Sequence, residues 1–150
     1  VANTKEAKAA ARAELNERRA RAQAGMAAGE EKYLPARDKG PQRRWVRDYV
    51  DAGWHPAEFV MAVMVLVILA TLVPFSTLVS YYAYLVMMAY LVIAIGGMIL
   101  LGIRVKRKVA AKFGQERMER GLGWYAAMRS LQMRFMRLPK PQVKRGQYPV

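Results

Sequence analysis

The dominant pattern along the chain is one uninterrupted apolar block. From Phe59 to Ile103, 45 residues pass without an Asp, Glu, Lys, Arg or His, so every charge lies outside that stretch. A helix rises about 1.5 Å per residue, so a helix of that length would measure roughly 68 Å against a hydrocarbon core of about 30 Å. Two crossings of about 20 residues each fit; one does not. Backbone in lipid must satisfy its own hydrogen bonds, so both crossings are expected as helices. An ordinary soluble domain, with charge interspersed along its amphipathic elements, is excluded, and so is a disordered tail.

The turn between the crossings is predicted at the one proline of the block. Pro74 cannot continue a helical ladder and disfavours helix at the residue before it. Ser76, Thr77 and Ser80 cluster behind it, and Tyr81, Tyr82 and Tyr84 stand beside them as interfacial aromatics do. The expectation is helix one over about Pro56–Val73, a turn over Pro74–Ser80, and helix two from about Tyr81 to Ile103. The alternative is that Pro74 only kinks helix one and the chain turns at Ser80.

The flanks read differently. Residues 1–40 form a charged arm and linker. Ala, Glu, Arg and Gln over residues 3–25 predict a helix, with Asn3 and Glu6 as a capping box. Glu14–Arg18 and Glu17–Arg21 are supportive pairs, and Gly25 is the expected stop. Leu15 is its one large apolar residue, leaving a solvated helix or an arm along a partner. Residues 41–55 predict a second helix, with Pro41 in its first turn and Gly53 at its end. Trp45, Val46, Tyr49 and Val50 share one face, and Arg43, Arg44 and Arg47 line the rest. That is the composition of an interfacial helix, with Trp54 marking the headgroup level; a partner subunit is the other surface the face fits.

After the hairpin of residues 56–103, residues 104–138 read as basic cytoplasmic helices, the first continuing helix two. Arg104, Lys106, Arg107, Lys108 and Lys112 crowd its border, where they enforce topology or, more specifically, bind cardiolipin. Gly121-Leu-Gly123 predicts a break. Trp124, Met128, Leu131, Phe135 and Leu138 then follow as a narrow apolar stripe, with Arg129, Arg134 and Arg137 outside it. Residues 139–150, with three prolines, predict an extended basic tail that needs a surface to lie on. Gly96 and Gly97 leave a notch for a partner helix, and Tyr90 is placed to donate a hydrogen bond across it.

Charge settles the expected orientation. The formal net charge is +14, and mean hydropathy is near zero. The segment before the block carries 12 Lys+Arg and 9 Asp+Glu, the segment after it 13 and 2, and the turn none. Basic residues concentrate on cytoplasmic flanks, so a multi-pass plasma-membrane protein with both termini cytoplasmic is expected. The first 30 residues contain no apolar h-region, so no cleavable signal peptide is expected.

Reactive chemistry is sparse. The chain has no Cys and one His, which excludes disulfides, thiolate metal sites and His clusters. His55 reads as a wet interfacial residue. Met61, Met64, Met87, Met88 and Met98 read as adaptable packing rather than copper ligands. No ionisable group lies inside the block, against a transporter or channel, and no phosphate loop or catalytic constellation stands out. Glu58 reads as a carboxylate suited to a helix N-terminus. The positive charge alone fits nucleic acid, but no binding fold accompanies it. Neither a catalytic activity nor a small-molecule substrate is expected, and bound phospholipid or cardiolipin is the one ligand in view.

Two blocks are distinctive: residues 32–51, KYLPARDKGPQRRWVRDYVD, and residues 121–149, GLGWYAAMRSLQMRFMRLPKPQVKRGQYP. Together they resemble a family of small actinobacterial two-span membrane proteins of unknown function, over roughly Tyr33–Val150 and excluding the N-terminal arm. The resemblance implies an accessory subunit of the cytochrome bc–aa3 respiratory supercomplex. The function expected is therefore a non-catalytic structural subunit of a membrane complex. A membrane-anchored assembly or scaffold factor and an anionic-lipid surface organiser are the alternatives.

Overall fold

A computed structural model describes residues 4–74 and 76–150. The described residues form five α-helices, several 3₁₀ turns and no strand: α1 Lys5–Ala28, α2 Pro41–Ala52, α3 Val60–Leu72, α4 Thr77–Phe113 and α5 Leu122–Leu131.

Helix α1 is capped by Thr4, whose hydroxyl accepts from the Ala7 amide at 3.3 Å; the predicted Asn3 cap lies outside the described residues. Both predicted surface pairs form, Arg18 with Glu14 and Arg21 with Glu17. Gly25 does not stop the helix, which runs on to Ala28 and ends at Gly29, φ 80°. Gly25 instead makes room for a neighbour. A Cβ there would sit 2.1 Å from the Tyr33 ring, so the linker folds back onto α1 at this point. Two 3₁₀ turns, Glu31–Tyr33 and Ala36–Asp38, then lead to α2.

Helix α2 keeps the bounds its Pro41 and Gly53 predict. A 3₁₀ turn, Pro56–Phe59, leads into α3, and the path bends by 68° between α2 and the Pro56–Leu72 segment. Pro74 lies just beyond the end of α3, but the turn is shorter than expected. The Ser76 hydroxyl accepts from the Val79 amide at 3.3 Å, so α4 starts at Thr77 and absorbs Ser80 and Tyr81 into its first turns. Phe75 lies outside the described residues. From there α3 and α4 pack antiparallel, with Pro56 beside Tyr90 and Gly97.

Helix α4 runs for 37 residues through the predicted border and stops at Gly114, φ 89°. Among the described residues it alone is long and apolar enough by itself to cross a membrane; α3 has 13 residues. The break comes at Gly114 rather than at Gly121–Gly123: Gly121, φ 79°, precedes α5, and Gly123 lies inside it. The predicted stripe does not stay on one helix either. It ends at Leu131, and Phe135 lies in the separate 3₁₀ turn Arg134–Met136.

The core sits at the C-terminal end of the apolar block and beyond it. Trp45, Val46 and Val50 of α2, Leu101, Val105 and Val109 of α4, and Leu122 and Ala126 of α5 form one buried cluster. Helices α4 and α5 cross where two glycines meet: a Cβ on Gly102 would lie 3.3 Å from the Gly123 carbonyl oxygen. The molecule is thus an apolar α3–α4 hairpin carrying a three-helix cap of α2, the end of α4, and α5.

The extended tail has its surface. The Lys140 amide donates to the Ala27 carbonyl at 3.0 Å and the Gly146 amide to the Ala52 carbonyl at 2.8 Å. Tyr148 packs on Tyr49, ring centres 5.4 Å apart. The tail straps α1, α2 and the α2–α3 corner together.

Candidate functional site

Beneath this strap lies a buried ionic network. Asp51, near the end of α2, is 1% exposed. Its carboxylate takes both arms of Arg129, Nε at 3.0 Å and Nη2 at 2.7 Å, and a third donor from Arg137 at 3.1 Å. Arg129 also donates to the Pro139 carbonyl, and Arg134 to the carbonyls of Asp51 and Val143. Arg137 is fully buried and donates Nε to the carbonyls of Arg129 and Gln132, each at 3.1 Å. Burial draws its pKa below the usual arginine value, while Asp51 and Glu58 push it back up.

Glu58 is the second carboxylate. It was expected as a helix-terminus charge, and it does lie in the turn before α3, but it is buried and bound to Arg145 at 2.5 Å. Its other oxygen faces Arg137 at 3.6 Å; among the described residues neither that Glu58 Oε2 nor Arg137 Nη2 has a hydrogen-bond partner. Arg145 also donates to the Gly53 carbonyl at 2.7 Å and lies 3.7 Å from the centre of the Trp54 ring. Residues from α2, the α2–α3 corner, α5 and the tail thus meet at one charged knot. Arg129, Arg134 and Arg137 lie outside the predicted stripe, and the spacing along the chain gives no sign that Arg129 and Arg137 are buried. Two-point arginine–carboxylate geometry gives this knot both strength and direction.

His55 adjoins the knot. One ring nitrogen, Nε2, lies 2.9 Å from the Val50 carbonyl, and burial lowers the imidazole pKa from 6.5, with Arg137 and Arg145 adding to the fall. On the far side of α2, Gln42 clamps the α4–α5 loop through the Arg117 carbonyl and the Glu119 amide. Tyr125 donates to Asp38 at 2.7 Å; burial and that bond push its pKa up to about 12. Among the described residues no group of three His, Asp or Glu side chains could hold a metal ion.

The predicted interface residues divide. Trp45 is 8% exposed and stacks on Tyr49, so the apolar face of α2 is covered by α4 and α5 of the same chain rather than by lipid or a partner. Trp54 is 69% exposed. Arg104, Lys106, Arg107, Lys108 and Lys112 are all exposed on α4, with Val105 and Val109 buried between them. Lys108 and Lys112 lie over the Tyr49 and Trp45 rings at 5.6 and 5.9 Å.

The predicted notch is also divided. Gly96 faces open space, whereas Gly97 packs on Pro56 and Tyr90 donates to the Pro56 carbonyl at 2.5 Å. The Tyr90 hydrogen bond is thus made within the chain. Helix–helix approach through small residues occurs at Gly102 and Gly123, which periodicity did not single out. Trp124 and Phe135 are 71% and 76% exposed, Met128 is exposed and Leu131 half-buried. The stripe faces outward, and the inner face of α5 is made of Leu122, Gly123, Ala126 and Ala127 instead. Between α4 and α5, at the border, lies a groove of about 450 Å³ lined by Ile95, Met98, Ile99, Ile103, Lys106 and Trp124 together with the glycine crossing.

A family model described as a protein of unknown function (DUF3043) matches residues 1–147. The chain belongs to the DUF3043 family. The match takes in the N-terminal arm that the two distinctive blocks left out. An uncharacterised protein of Mycobacterium leprae is 40% identical over 141 residues, and uncharacterised proteins of Mycobacterium bovis and Mycobacterium tuberculosis are 42% identical over the same length. Each alignment covers 93% of this chain and 57–58% of the relative, so the chain spans a little under three-fifths of the DUF3043 relatives it matches. No solved structure matches it.

Proposed function

We propose that this DUF3043 chain is a non-catalytic structural subunit of a larger membrane complex. In this reading the α3–α4 hairpin crosses a bacterial plasma membrane twice and both ends of the chain lie in the cytoplasm. The carrying observation is the contrast between its two halves. The cap buries the apolar face of α2 and the inner face of α5 against α4, whereas the hairpin leaves Val65, Leu66, Leu69, Leu85, Val92 and Ile99 exposed along both helices. So large a continuous apolar surface needs lipid or partner helices around it. Helix α3 with its preceding turn is at the short end of spanning length, about 17 residues, which the flanking Trp54 and Arg145 suit.

The knot favours a structural role because its arginines and carboxylates are spent on one another and on backbone carbonyls. Trp124, Phe135 and Leu138 give the cap an exposed face for a partner. The bc–aa3 respiratory assembly, named by the resemblance alone, is the first partner to look for. Purification of the tagged full-length protein in a mild detergent, followed by mass spectrometry, tests the reading. Stoichiometric membrane subunits are expected, and migration as a lone monomer would overturn it. Outside-in labelling of intact cells tests the topology, and reaction at either end overturns it.

A further inference from the structure

We propose that the groove between α4 and α5 seats one anionic phospholipid, an acyl chain against α4 and the phosphate at Lys106. The inference rests on reading α4 as a membrane span, and it adds a ligand to that reading.

The lining changes character along a single helix face. Ile95, Met98, Ile99, Gly102, Ile103 and Lys106 fall at i, i+3, i+4, i+7, i+8 and i+11 on one face of α4, apolar for two turns and then cationic. A phospholipid has the same order, hydrocarbon first and a negative phosphate at its end. No acidic residue lines the groove, so nothing there repels that phosphate.

The shape favours a chain-like occupant. The floor is the Gly102–Gly123 crossing, where two backbones meet without side chains and the Lys106 stem lies across Gly123. Trp124, largely exposed on the α5 side, supplies an amphipathic wall at headgroup depth. A partner helix running along this face of α4 would meet α5 crossing its path, whereas an acyl chain needs to go no further than the headgroup. Lys106 differs in this from Lys108 and Lys112, which lie over the rings of α2. General attraction of the basic border to a negative membrane would draw on all these cations alike; a seat in the groove draws on Lys106 above the others.

The test uses the full chain in nanodiscs of equal phosphatidylcholine and phosphatidylglycerol, followed by native mass spectrometry of the lipid retained on release. One phosphatidylglycerol per chain is expected, in preference to phosphatidylcholine. Lys106→Gln should cut its retention about fivefold, the factor set by one cation near a lipid surface. Lys108→Gln removes the same charge outside the groove and should leave retention within twofold. Ile99→Trp fills the groove and should abolish retention, with thermal unfolding confirming that the variant is folded. Equal losses in the two lysine variants, or full retention in a folded Ile99→Trp, would overturn the seat. Alkaline carbonate extraction separates this from the span itself. A chain released by carbonate overturns the span, while an integrated chain that retains no phosphatidylglycerol overturns the seat alone.

Discussion

Asp51 and Arg129 are 78 residues apart in sequence and share a two-point ion pair, both side chains almost fully buried. Replacing Asp51 by Ala strands Arg129 and Arg137 without their carboxylate. Removing one partner of a buried pair costs about 3–5 kcal/mol. For a chain of this size that is roughly a 10 °C fall in Tm. Differential scanning fluorimetry of the detergent-solubilised chain checks it, and a shift under about 3 °C would contradict this account of the knot.

The glycines should respond in opposite ways. Gly96→Ala meets open space and removes a flexible residue from a helix, so it should be neutral or stabilising by up to about 1 kcal/mol. Gly102→Leu drives a side chain into the Gly123 backbone and should lower Tm sharply. Gly25→Val collides with the Tyr33 ring; it should free α1 and speed proteolysis between residues 26 and 40.

Arg145 holds the tail to the corner through Glu58, the Gly53 carbonyl and the Trp54 ring. Arg145→Ala leaves Glu58 buried with only the 3.6 Å approach of Arg137. Trypsin should then cut after Lys144 several-fold faster, the Lys140–Pro141 bond being resistant to it. Arg145→Lys keeps the charge but loses the planar fork and the stacking, so it should rescue only in part.

His55 gives stability a slope with pH. Its pKa is lower folded than unfolded, so between those two values the unfolded chain binds more protons and stability rises with pH. The contribution is complete above the unfolded value near 6.5 and declines as pH falls through the folded value. Asp48, raised by burial from 3.8, carries the opposite sign. Comparison with His55→Gln isolates the histidine: the wild type should lose more Tm than the variant between pH 7.5 and 5.5. Equal losses would remove His55 from the account.

The parts legible in sequence were those governed by local chemistry. The uncharged block, the Pro41 and Gly53 bounds of α2 and the surface pairs of α1 depend on neighbours within a few residues. What escaped depends on distant contacts. Arg129 and Arg137 look like solvated charges until Asp51 arrives from α2. The tail looks unsupported because its main acceptors, the carbonyls of Ala27, Ala52 and Gly53, carry no side-chain signal. Gly123 looks like a breaker because glycine both ends helices and lets them touch, and only Gly102 opposite decides which. The stripe from Trp124 to Leu138 was read with the period of a helix that in fact stops at Leu131.

Helix α4 has no joint. From its Ser76 cap to Gly114 it is one rod of about 55 Å, and the residues that pack the cap core are its own far end. A change in tilt imposed on its apolar half therefore swings the cap as a lever rather than being absorbed at a hinge; with that half across a membrane, as proposed above, a thicker or thinner bilayer would re-aim everything the cap presents.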